Sequence, residues 1–332
     1  ALPISVVTKI IKDNLAEDGS RYGTQKVLVK MTTGTYKGKE KQAINPSGTL
    51  FGADCKVGAR IIVIVNKSGT NAGFTVYSQD RTMAIYGFVL IFAAVVCAIG
   101  GKKGVYAILS LVFAFACIIG IMFPMMYRGI SPIVLTIIVA VLTTIVTLGL
   151  LGGYSSKTVS AILGTAIGVV IAAVAAMAFG KAAGITGYNV SDIEALNYVG
   201  QNTKIKIGEL LFAGIIISAL GAVMDVGMSI ASTIQEIYET DKTLSMKRLF
   251  VSGINVGRDM MGTMTNTLIF AYVGGAMTTL VINYAYDLSY RQLANSYVIG
   301  IEIMQGLSGS FGVVLTVPIT ALIASFLAVR KK

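Results

Sequence analysis

From Thr82 to the C-terminus, apolar runs follow one another with short breaks, each near the ~20 residues needed to cross a bilayer. Lipid offers no partner for free N–H and C=O groups, so runs of this kind are stable there as helices. Spans are expected at 83–100, 104–123, 131–151, 158–179, 208–232, 260–284 and within 296–328. Charged residues make up 13% of the 332, about half the ~25% usual for a soluble domain. The chain reads as a polytopic α-helical membrane protein with about seven spans.

The net charge of +11 follows from where the basic residues sit and is no sign of a nucleic-acid partner. Lys102, Lys103, Lys157, Lys242, Lys247, Arg248, Arg258, Arg330, Lys331 and Lys332 gather on one side of the expected spans. The other side holds Arg128, Lys181, Lys204, Lys206 and Arg291. The positive-inside bias then puts residues 101–103, 233–259 and the C-terminus in the cytoplasm, and the N-terminal domain outside. An external domain ahead of the spans needs a route out. Neither a charged n-region nor an apolar h-region follows Ala1, so either a removed signal segment or an upstream anchor helix is expected, the anchor, an eighth span, being favoured.

Residues 1–80 form the first of two domains, with 81–332 as the second. Val27–Met31 and Arg60–Val65 are β-rich runs, Ser5–Ile11 and Phe74–Tyr77 are further candidates, and Gly34, Gly38, Gly48, Gly52, Gly58 and Gly69 mark turns. Such a segment suits a small extracytoplasmic β-barrel or OB-like domain. It lacks the basic and aromatic strand face of a nucleic-acid platform. A cap on the membrane part is the plainer role.

Several chemistries have no residues to carry them. Histidine is absent, which removes His-based metal ligation and Ser-His-Asp catalysis. Cys55, Cys97 and Cys117 have no CxxC spacing. No nucleophile–base pair stands out, and neither enzyme activity nor a bound cofactor or metal is expected.

One acidic residue does stand out. Asp225 lies inside the apolar stretch Leu210–Ile234, which contains no lysine or arginine. A carboxylate at a helix centre in a bilayer costs roughly 2.5–3.5 kcal/mol on insertion scales, so intramembrane acids are functional candidates. Ser218, Gly221, Ala222, Ser229 and Ser232 share its helical stripe, while Ile216, Leu220, Val223 and Ile230 lie elsewhere. The stripe implies a helix side facing protein or water. The next span carries Asp259, Thr263, Asn266 and Phe270 at helical spacing, with Thr265 and Thr267 beside them. Antiparallel packing would set Asp225 at the depth of Thr263 and Asn266, a polar seam suited to a proton relay or to Na⁺. Interhelical hydrogen bonding, ~0.6 kcal/mol on average, is the structural alternative. Asp259 suits an interfacial pairing with Arg258 or Lys247.

Three further features complete the reading. Glu302, Gln305, Gly309, Gly312, Thr316 and Thr320 share one face of the last span, ~50 Å if continuous and therefore a candidate for a break at Gly306–Ser310. Glu302 would then be an ion ligand or an interfacial acid near the outer surface. Residues 180–207, with Asp192, Glu194, Lys204 and Lys206, form a polar outer loop, and 233–259 suit either an amphipathic helix at the inner headgroups or an ordinary helical connection. Gly164-xxx-Gly168 permits close packing, within the chain or between copies.

The segments Met224-Asp225-Val226-Gly227-Met228-Ser229-Ile230, Gly257 to Leu268, Glu302-Ile303, Gly309-Ser310-Phe311-Gly312 and Leu315-Thr316-Val317-Pro318 resemble the YibE/F family of bacterial membrane proteins. Gly34 to Lys39 in the β domain fits the same resemblance. It implies the fold and a bacterial inner membrane, and little about mechanism. The Asp-bearing span, the cytoplasmic segment and the following Asn-Thr-Leu cluster are also similar to the C-terminal halves of SecD/SecF and resistance–nodulation–division transporters. That likeness implies proton coupling through Asp225. The expectation is a transporter or exporter component driven by H⁺ or Na⁺. Asp225 would be the coupling acid, Asn266, Thr263 and Ser229 its neighbours, and Glu302 with Gln305 an outer site. Its partners would be the bilayer, a small-molecule or ion substrate, and a second copy or another membrane protein. The competing expectation is a non-transporting scaffold or sensor whose β domain binds a ligand or partner.

Overall fold

The computed structural model describes residues 2–15, 23–46, 53–68, 71–190 and 193–330. Gly48, Gly52, Gly69, Asp192, Lys331 and Lys332 lie outside the described residues. Two compact units divide the chain, Ala1–Val95 and Val96–Lys332.

The first unit is built on five strands: β1 (Ile4–Lys12), β2 (Gln25–Met31), β3 (Glu40–Asn45), β4 (Arg60–Ser68) and β5 (Asn71–Gln79). They close into a barrel in the order β1-β2-β3-β5-β4, with β4 returning to β1. Neighbours are antiparallel except β3 and β5, which run parallel where Ile44 meets Thr75. Alternation explains the closure. In β2, Gln25, Val27, Val29 and Met31 are buried while Lys26 and Lys30 are exposed. Val7, Ala43, Ile61, Val63 and Val76 fill the same interior, and Tyr36 meets Phe74 edge-on with ring centroids 5.3 Å apart. Gln25 is inside because it is bonded. Its Nε2 donates to Asp13 Oδ1 and the Cys55 carbonyl, and its Oε1 accepts from Asn45 Nδ2.

The barrel runs into α1 (Thr82–Cys117) through a capped start. The Thr82 backbone N–H donates to Asp80 Oδ1 at 3.1 Å, and Arg60 Nη2 lies 3.1 Å from Asp80 Oδ2. Hydrogen bonding from Thr82, followed by the charge of Arg60, holds the Asp80 carboxyl below its ordinary 3.8. A lowered folded value means that this stabilisation is present above the unfolded value and is lost as pH falls through the folded one. Asp80→Ala should therefore cost about 0.5–2 kcal/mol of local stability at neutral pH, with the difference closing in acid below about pH 4. Faster amide exchange at residues 82–85 of the full chain would read this effect. Unchanged exchange at pH 7 would remove the cap from the account.

α1 is continuous only in its hydrogen bonding. Gly101 adopts φ 53°, ψ −131°, and a Cβ on Gly104 would stand 2.2 Å from the Val96 carbonyl oxygen. The chain thus turns sharply at Lys102-Lys103, between the spans expected at 83–100 and 104–123. A π-helical turn at Ile118–Met122 then leads into α2 (Phe123–Tyr127).

α3 (Pro132–Gly152) and α4 (Ser156–Ala182) start on Ser131 and Ser155, whose side chains accept from Val134 and Thr158 backbone N–H groups. The segment between α4 and α6 contains α5 (Ile193–Asn202). α6 (Leu210–Thr240), α7 (Met246–Gly275) and α10 (Tyr297–Arg330) complete the bundle; α8 (Met277–Ala285) and α9 (Tyr290–Ala294) are short. Among the described residues, five helices are long and apolar enough to span a membrane, or six if the bent pair α7 and α8 counts as one.

Three expectations are revised. Residues 233–259 contain no separate surface helix: 233–240 extend α6, 246–259 begin α7, and Leu249, Gly253 and Gly257 are buried in the bundle. The span expected at 260–284 starts earlier and bends by 60° between α7 and α8. α10 is unbroken through Gly306–Ser310. Its small residues do not break the helix; they let it approach α4, α6 and α7. A Cβ on Gly312 would meet the Gly168 carbonyl oxygen at 2.9 Å, and one on Gly164 would lie 1.9 Å from Thr320 Oγ1. Gly164-xxx-Gly168 therefore packs within the chain.

Candidate functional site

α6 buries its branched residues and leaves its polar stripe uncovered. Ile216, Val223, Ile230 and Ile234 are wholly enclosed by the bundle. Gly214, Ser218, Gly221 and Asp225 are exposed, and Ala222, Ser229 and Ser232 are partly so. Of the two surroundings expected for this stripe, protein or water, its own chain does not supply the protein. Burying β-branched side chains against α4 and α10 uses the opposite side of the helix, so the small and polar side points outward.

α7 repeats the pattern. Leu249, Gly253, Gly257 and Leu268 are buried, while Asn255, Arg258, Asp259, Gly262, Thr263 and Asn266 are exposed. The Asn255, Gly262 and Asn266 spacing was missed as a continuous polar face, although its period was present in the sequence. Tertiary contacts fix the register between the two helices. A Cβ on Gly253 would touch Ile234, and a Cβ on Gly309 would touch both Leu268 and Ala219. Tyr272 donates from its hydroxyl to Ser218 Oγ at 2.6 Å. Counting residues from these contacts puts Asp225 level with Gly262, with Arg258 and Asn266 each about one turn away.

Depth therefore matches the sequence expectation, but the side chains do not converge. Among the described residues, Asp225 has no hydrogen bond or ion pair, nor has Asn266. The Thr263 hydroxyl donates to the Met260 carbonyl of its own helix, and Asp259 forms no ion pair with Arg258 or Lys247. Thr265 Oγ1 is buried without a partner. Ser229 stands on the Asp225 side of α6 and offers its carbonyl to the Thr233 hydroxyl.

Glu302 and Gln305 belong to a different place. Both are half-buried near the start of α10. Glu302 lines a cleft of about 270 Å³ with Tyr272, Ile269, Leu280 and Gly306. The cleft is almost wholly apolar apart from that carboxyl and the Tyr272 hydroxyl. By helical rise, Glu302 and Asp225 are about 20 Å apart along the bundle. They constitute two sites and not one pair. No cluster of three or more Cys, Asp or Glu suited to a metal occurs among the described residues.

No curated protein and no solved structure matches this chain. The model of the YibE/F-like proteins matches residues 88–330, which include both polar helix faces and the Glu302 cleft. This match covers well over half of the sequence, and the chain belongs to the YibE/F-like family.

Proposed function

We propose that the protein is an ion-coupled membrane transporter or exporter component in which Asp225 takes up and releases H⁺ or Na⁺. The observation that carries this reading is a carboxyl group on a membrane-length helix with no ion-pair partner among the described residues, on a stripe of small and polar residues. Such a group is costly in lipid and free to change occupancy. Asn266 and Thr263 stand at similar depth as further polar groups. Glu302 and Gln305, about 20 Å further along, would serve as an outer relay where the cleft opens. The likeness to SecD/SecF and resistance–nodulation–division transporters favours H⁺.

In this reading the break at Gly101 separates two spans, the bent α7–α8 pair is a sixth or interrupted one, and about seven segments cross a bacterial inner membrane. The barrel's strand order, with β1 closing on β4 and β3 parallel to β5, favours an OB-like domain outside the cell.

A scaffold or sensor is the second reading, favoured by the barrel's separate core. Liposomes with an imposed pH or Na⁺ gradient separate the two. Native protein should carry flux, and Asp225→Asn should fall to the level of empty liposomes while inserting normally. Equal flux from both forms would remove the coupling role. Tolerance of Asp225→Leu in the living cell would favour the scaffold.

A further inference from the structure

The α6–α7 face carries Ser218, Asp225, Asn255, Arg258 and Asn266 among exposed Val251, Phe270 and Val273, lies on helices long enough to span a membrane, and is uncovered in a single chain. Hydrocarbon gives Asp225, Asn255 and Asn266 no partners, so the face would be strongly disfavoured there. Its glycines tell the same story. Gly164, Gly168, Gly253, Gly257 and Gly312 each meet neighbouring atoms, whereas Gly214, Gly221 and Gly262 have nothing within 4 Å. Glycine inside a helix costs up to about 1 kcal/mol against alanine, and close approach by another helix is the usual compensation.

Charge identifies the occupant. The exposed side of α6 carries Asp225, Glu236 and Glu239, all acidic. The exposed side of α7 carries Arg248 and Arg258, with Asp259 the acid beside them. A two-fold axis along the membrane normal preserves depth and sets the α6 of one copy on the α7 of the other. The register then brings Glu239 to the level of Arg248, Ser232 to Asn255, Gly221 to Asn266, and Asp225 to Gly262 between Arg258 and Asn266. These four levels hold one acid–base pair, one polar pair and two glycine–polar pairs, twice over.

We propose that a second copy of this chain covers the α6–α7 face in this two-fold arrangement, so that Asp225 stands level with Gly262 and within about one turn of Asn266 from the other copy. Asp225 and Asn266, which do not converge within one chain, meet between chains. The interface goes beyond ion coupling and does not depend on it: either can fail while the other holds.

The test uses the full chain with Cys55, Cys97 and Cys117 changed to alanine. Two differently tagged forms, Gly221→Cys and Asn266→Cys, are co-expressed and oxidised in the membrane. A disulfide needs Cα atoms within about 7 Å, so a mixed-tag covalent dimer is expected. A control pair on exposed positions of α3 and α4, Ile138→Cys with Val174→Cys, should give none. Gly221→Leu with Gly262→Leu should abolish dimerisation without loss of thermal stability, because neither position touches its own chain. Subunit counting in nanodiscs should give two copies for the native chain and one for the double leucine form. A single copy for the native chain would overturn the proposal, as would cross-linking no better than the control. So would a ladder above the dimer, or capture of a different polypeptide on the same cysteines.

Discussion

Gly168→Val is expected to cost at least about 3 kcal/mol, the upper end of what overpacking a close-packed interior brings. A Cβ there would lie 1.9 Å from Thr316 Oγ1 and 2.8 Å from Val223 Cγ1. The threonine cannot swing aside freely, because its hydroxyl donates to the Gly312 carbonyl at 2.7 Å. Gly312 is itself packed against the Gly168 carbonyl, so neither helix can retreat without opening the seam. At 2–4 °C per kcal/mol for a domain of this size, the melting temperature in detergent should fall by about 10 °C. Gly164→Ala offers a graded comparison with Gly168→Ala. Thr320 Oγ1 makes no hydrogen bond and can rotate away, leaving Thr320 Cβ at 2.9 Å as the remaining clash, so the Gly164 change should cost less. Gly87→Ala, with nothing within 4 Å, should be neutral or gain up to about 1 kcal/mol from helix propensity. Equal melting temperatures for Gly168→Val and native protein would refute the α4–α10 seam.

The second large effect lies in the barrel. Asn45 is 3% exposed and joins three chain segments. Its Nδ2 donates to Gln25 Oε1 and to the Ala53 carbonyl, and its Oδ1 accepts from the Ala53 N–H. Asn45→Ala would leave the buried Gln25 Oε1 and the part-buried Ala53 N–H and carbonyl without these partners. With about 1–3 kcal/mol for each unsatisfied group, and some relief from water entering, a loss of about 3 kcal/mol is expected. Amide exchange at Val27 and Val29 should accelerate by about two orders of magnitude, since each 1.4 kcal/mol is tenfold. Gln42→Ala, exposed on the same strand, should stay within about 0.5 kcal/mol of native. Similar exchange in both variants would mean the network is dispensable.

The helix boundaries show where sequence reading succeeds and where it stops. Runs such as Pro132–Gly152 declare themselves by length and hydropathy, and their caps are local. The 233–259 segment suits a surface helix in sequence because Leu249, Phe250 and Ile254 interleave with Lys247, Arg248 and Arg258. Burial of Leu249, Gly253 and Gly257 decided otherwise, since long helices continue wherever one side still finds a packing partner. The Gly-Ser segment of α10 misled for a related reason. Small residues weaken an isolated helix but favour one that is clamped on three sides.

The sequence alone determined the membrane class, the strand alternation of the barrel, the family and the existence of a polar stripe around Asp225. These depend on composition and on a period along one chain, which are local properties. Only the tertiary structure decided that the stripe points away from its own bundle, that Glu302 stands about 20 Å from Asp225, and that Gly164 and Gly168 are used internally. A helical period fixes which residues share a side. Which side meets protein depends on competing contacts with α4, α7 and α10, and those are set by the whole fold.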